Sequence, residues 1–66
     1  MSIQYRTLTT RLYSTEGTDQ GNRDRLGYRT EDLAGLGRYG YTLLSTITVP
    51  EFDGTTIIDT LALADE

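Results

Sequence analysis

The sequence predicts a small α+β domain: a three-stranded antiparallel sheet with one short helix, in the order β-α-β-β. Three observations lead there. Residues 41–49 and 55–64 are rich in Thr, Ile, Leu and Val and flank the turn-forming run Pro50–Gly54. Residues 3–14 form a third such stretch, free of Gly and Pro. Between them, only residues 30–39 carry both a helix start signal and a glycine stop.

In the first strand, Ile3, Tyr5 and Tyr13 share one parity and Leu8 and Leu12 the other. It therefore shows apolar surface on both faces or changes parity at a bulge near Thr7–Leu8. Residues 15–28 hold three glycines and a dense polar run, which reads as a long, flexible loop.

Thr30 is the expected helix N-cap, with Glu31 and Asp32 in the first turn where the helix dipole favours negative charge. Leu33 and Leu36 form its apolar stripe, and Gly35 weakens it by about 1 kcal/mol relative to Ala. Gly40 is placed to end it in the left-handed conformation.

The hairpin follows. Tyr41, Leu43, Ile47 and Val49 are expected on one face of its first strand, with Thr42, Leu44, Thr46 and Thr48 on the other. Asp53-Gly54 supplies the turn signal. In the closing strand Ile57, Leu61 and Leu63 oppose Ile58, Ala62 and Ala64.

Sixty-six residues make one domain, residues 1–66. A chain this short buries only about 60% of the surface its unfolded form exposes, so it needs a staple. There is no Cys and no His, which removes disulfides, thiolate–zinc sites and the commonest general base. No metal or cofactor is expected. Self-association is the staple that remains, and a homo-oligomer is the expected state.

Hydrophobic content of 36% and charged content of 24% mark a globular chain, and no apolar run is long enough to span a membrane. Met1–Arg6 has neither a basic nor an apolar leader region, so no signal peptide is expected. A cytosolic location follows, in the cell that makes the protein or in one infected by a virus encoding it.

All six basic residues are Arg, consistent with the codon use of a GC-rich genome. Residues 1–40 carry six Arg against five acids, a net of +1; residues 41–66 carry five acids and no base, a net of −5. Phosphate neutralisation dominates nucleic-acid affinity, so this balance argues against nucleic acid as a partner.

Leu33, Leu36, Gly37, Gly40, Tyr41, Leu43 and Leu44, within residues 33–45, follow the pattern Leu-x-x-Leu-Gly-x-x-Gly-(Trp/Tyr)-x-Leu-(Val/Leu)-Ser. In this the chain resembles the small bacterial domains of unknown function called DUF4177. The resemblance implies a strand, a helix and a two-stranded hairpin, and implies no activity. Tyr41 replaces the family's usual Trp, the loop 15–28 is longer, and the chain closes on Ala64-Asp65-Glu66 rather than on basic residues.

No constellation supports catalysis. Without His, Lys or Cys, nothing but a carboxylate could activate a hydroxyl, and the Thr residues are accounted for as strand formers. Glu31 and Asp32 suit a helix N-terminus better than acid–base work. Asp19, Asp24 and Asp53 do not have the alternating spacing of a calcium loop. Gly35-x-Gly37-x-x-Gly40 formally matches half of a dinucleotide fingerprint, but these glycines close a helix instead of opening one.

Two surfaces are candidates for binding. Arg23, Arg25, Tyr28 and Arg29 gather the residue types that dominate binding hot spots, on the expected loop. Leu8, Leu12, Leu44 and Ile58 are expected on a sheet face the short helix cannot cover, hence at an oligomer interface. The expected function is a non-catalytic binding module that associates with itself through its sheet and with other proteins. The alternative is a viral or mobile-element inhibitor that engages a host protein through hairpin acids Asp53, Asp59, Asp65 and Glu66.

Overall fold

A computed structural model describes residues 2–65, with the side chain of Asp65 outside the description. Strand β1 (Ser2–Tyr13) is followed by helix α1 (Asp19–Arg38) and by strands β2 (Thr42–Glu51) and β3 (Gly54–Asp65). The sheet order is β1-β3-β2, with both pairings antiparallel. The α+β class and the β-α-β-β order are as the sequence indicates.

The helix is twice the expected length. Residues 19–28, expected as loop, form its first half, and Thr30 lies mid-helix with its hydroxyl donating to the Leu26 carbonyl at 3.0 Å. Glu31 and Asp32 are consequently not at its N-terminus. The reason lies in how the first half is held. Its less exposed positions Asn22, Arg25 and Arg29 continue into Leu33 and Leu36 at spacings of three and four, a single stripe along the helix. Three of its five members are polar, so apolar periodicity does not reveal it, and each polar member has a partner.

The C-terminal end matches expectation. Gly40 has φ +101°, its N–H donates to Gly37 O at 3.0 Å, and the Tyr41 N–H donates to Leu36 O at 3.0 Å. This is the paired closure of a Schellman motif.

β1 pairs with β3 without interruption from Ser2↔Asp65 to Tyr13↔Gly54. Of the two alternatives for β1, apolar surface on both faces is therefore the one found, and the sheet's bulge is in β2, where Leu44 is the extra residue between the Leu43↔Leu61 and Ser45↔Thr60 pairs. It separates residues expected to share a face: Leu43 lies with Leu61 on the helix side, whereas Ile47 and Val49 lie on the opposite side with Ile58 and Thr56.

The turn is tighter than expected. Glu51 pairs with Gly54, which leaves Phe52 and Asp53 as its two residues. Gly54 is already strand, and a Cβ there would collide with the Leu12 carbonyl group of β1. Close backbone approach, not a positive φ, is what requires glycine at this position.

Among the described residues the buried core is small: one apolar side chain, Leu61, together with Thr10 and Asp59. Cα extents of 48 × 20 × 10 Å describe a plank with a helix along one side. Its radius of gyration is 13.8 Å, against about 11 Å for a compact chain of this length.

Candidate functional site

The side of the sheet facing α1 is organised by a buried ion pair. Asp59, mid-way along β3, is fully buried. Its carboxylate accepts from Arg29 Nε at 2.8 Å, from Arg29 Nη2 at 2.9 Å and from the Thr46 hydroxyl at 2.6 Å. The Arg29 hydrogen bonds outweigh burial and hold the Asp59 carboxyl below the usual carboxylate range. One contact thereby ties helix, central strand and edge strand together.

Two further contacts fix the start of the helix. The Asn22 side chain accepts from the Tyr13 N–H at 2.9 Å and donates to the Tyr13 carbonyl at 2.6 Å. It takes the two backbone groups that a neighbouring strand would otherwise use, which blunts that end of the β1 edge. The Tyr13 ring lies near two guanidinium groups, those of Arg25 at 4.8 Å and Arg11 at 5.3 Å. Arg11 also pairs with Glu51 at 3.0 Å and with Asp53.

The Arg cluster is therefore not a loop poised for an anion. Arg29 is committed to Asp59, and Arg25 lies against Tyr13. Arg23 and Tyr28 are exposed on the helix. The hairpin acids are similarly redistributed. Asp59 is buried and Asp53 is paired with Arg11, while Glu66 and the Asp65 side chain lie outside the described residues. Asp59 was legible as an anomaly, a lone charge inside the run Ile57-Ile58-Asp59-Thr60-Leu61; nothing in the sequence marked Asn22 or Tyr13.

The opposite face of the sheet is bare. Register places Ile3, Tyr5, Thr7 and Thr9 of β1 on it, beside Ile58, Thr60, Ala62 and Ala64 of β3. Ser45, Ile47 and Val49 of β2 complete it. Ile3, Tyr5 and Ile47 are 53%, 64% and 54% exposed. The face carries no charge from Ile3 to Thr9, and at its hairpin end Arg11 is shared between Glu51 and Asp53. Of the four expected interface residues, Ile58 is on this face and Leu44 is exposed at the edge bulge. Leu8 and Leu12 have the parity of Thr10 and lie on the helix side, because β1 has no bulge to turn them over.

No family model, curated protein or solved structure matches the chain. A groove of about 680 Å³ runs between α1 and β1, lined by Tyr5, Arg6, Glu31, Asp32, Leu36 and Tyr39. It is open to solvent. Among the described residues no group of three or more acidic side chains could hold a metal ion, and no helix is long and apolar enough to cross a membrane.

Proposed function

We propose that this chain is a small, non-catalytic binding module that associates with itself through its β-sheet, as a homo-oligomer in the cytosol. The observation that carries the reading is the bare face opposite α1, in a fold with a single buried apolar side chain among the described residues. The accessible surface of 4863 Å² exceeds by roughly 650 Å² the value of about 4,200 Å² that size scaling gives for a folded monomer of 7.4 kDa. That excess reflects the extended plank, and on its bare face Ile3, Tyr5, Ile47 and Val49 are exposed together; an exposed apolar patch marks an interface.

The same reading groups the chain with the DUF4177 domains that residues 33–45 resemble. An inhibitor acting through acidic hairpin residues is less well supported, because Asp59 is buried and Asp53 is engaged by Arg11.

Size-exclusion chromatography with light scattering over a range of concentrations tests the proposal. The expected mass is a multiple of 7.4 kDa that falls on dilution. A well-folded monomer at every concentration would overturn it.

A further inference from the structure

The bare face carries an ordered pattern of large and small side chains. The register divides it into rungs that cross the sheet from β1 through β3 to β2. Thr9, Ile58 and Ile47 form one rung, Thr7, Thr60 and Ser45 the next, and Tyr5, Ala62 and Thr42 the one after. Bulk alternates between the outer two. Where the first has Thr on β1 and Ile on β3 and β2, the third has Tyr on β1, Ala on β3 and Thr on β2. The middle rung is three hydroxyl side chains in a row.

We infer that two copies pack face to face about a two-fold axis that runs across the strands along the Thr7–Thr60–Ser45 row. Such an axis reverses strand direction and keeps β1 opposite β1, so residue i of one copy meets residue j of the other and j meets i. Ile58 then lies over the partner copy's Ala62, Ile47 over its Thr42, and Tyr5 over its Thr9. Within these three rungs each large side chain meets a small one, as the interdigitation of packed sheets requires. A two-fold axis along the strands instead sets Ile58 against Ile58 and Ala62 against Ala62, which leaves one collision and one hole.

The hydroxyl row meets its own copy at the axis, where each hydroxyl can both donate and accept. No charged side chain lies on the rungs from Ile3 to Thr9, so the axis brings no like charges together there.

This assignment rests on the self-association proposed above, and exchange of side chains separates the two. The dissociation constant would be measured by sedimentation equilibrium for Ile58→Ala, for Ala62→Ile and for the double exchange, with far-UV circular dichroism to show that each is folded. Each single change is expected to weaken the dimer about tenfold or more, by a cavity in one case and a collision in the other. The double exchange restores affinity, because the large and small partners have only traded places.

Tyr5→Thr with Thr9→Tyr repeats the test at positions exposed in the single copy, where the fold is least disturbed. Single changes that weaken the dimer without rescue by the exchange would overturn the assigned axis. A dimer indifferent to all of these variants would overturn the face as the interface and leave self-association standing, for instance through the β2 edge. A wild-type chain that stays monomeric would overturn both.

Discussion

Removing Arg29 should all but unfold the protein at neutral pH, although the residue lies on the surface helix. Asp59 is fully buried and accepts three hydrogen bonds, two of them from Arg29. In Arg29→Ala the carboxylate keeps only the Thr46 hydroxyl. Breaking a buried pair from one side costs about 3–5 kcal/mol, because a desolvated charge is left uncompensated. A domain of this length has a total stability of roughly 3–10 kcal/mol.

Asp59→Asn should cost less. The guanidinium left behind is partly exposed (23% for the Arg29 side chain) and can recover water. Replacing both partners with Leu should be close to neutral, since the penalty of burying the pair disappears with its attraction.

The pH dependence has a definite sign. The folded-state pKa of Asp59 is depressed, chiefly by the Arg29 hydrogen bonds, so its stabilising contribution is present above the unfolded value. That contribution is lost as pH falls through the folded value. Without Arg29, burial outweighs the one remaining hydrogen bond, from Thr46, and pushes the carboxyl's pKa up, so protonation relieves the variant. The stability gap between wild type and Arg29→Ala should therefore begin to narrow as pH falls through that raised value and narrow further below about 4, where wild type loses its own contribution. Urea unfolding followed by far-UV circular dichroism at fixed protein concentration measures it, the concentration being held because association adds to apparent stability. The reasoning is refuted if Arg29→Ala lies within about 1 kcal/mol of wild type at neutral pH, or if the double Leu variant is as unstable as the single one.

Two further outcomes follow from the backbone. Gly54→Ala forces a methyl group into the Leu12 carbonyl of the neighbouring strand and should destabilise by about 3 kcal/mol, read from the same urea curves; a neutral effect would mean that the strands separate there at little cost. Asn22→Ala removes both side-chain hydrogen bonds to Tyr13 and should cost about 1–3 kcal/mol, with faster hydrogen exchange at the Tyr13 amide and little change at Leu61 in the central strand.

Much of this protein is determined by sequence alone, because strands and turns are written locally. The alternation of Thr with Ile, Leu and Val reports strands of period two, Asp53-Gly54 marks the hairpin to within a residue, and Gly40 marks where the helix must stop. The absence of Cys and His limits the chemistry before any fold is known. What tertiary structure decided is where polar residues find partners. From its start to Arg29 the helix presents Asn22, Arg25 and Arg29 to the sheet in place of a leucine stripe. These helical positions are stabilised by the Tyr13 backbone, the Tyr13 ring and Asp59, nine, twelve and thirty residues away. Apolar periodicity cannot signal such a face, so the segment reads as loop until the sheet is in place. The bulge at Leu44 is likewise decided by pairing with β3, and one extra residue there is enough to carry Ile47 and Val49 to the bare face and leave Leu43 behind.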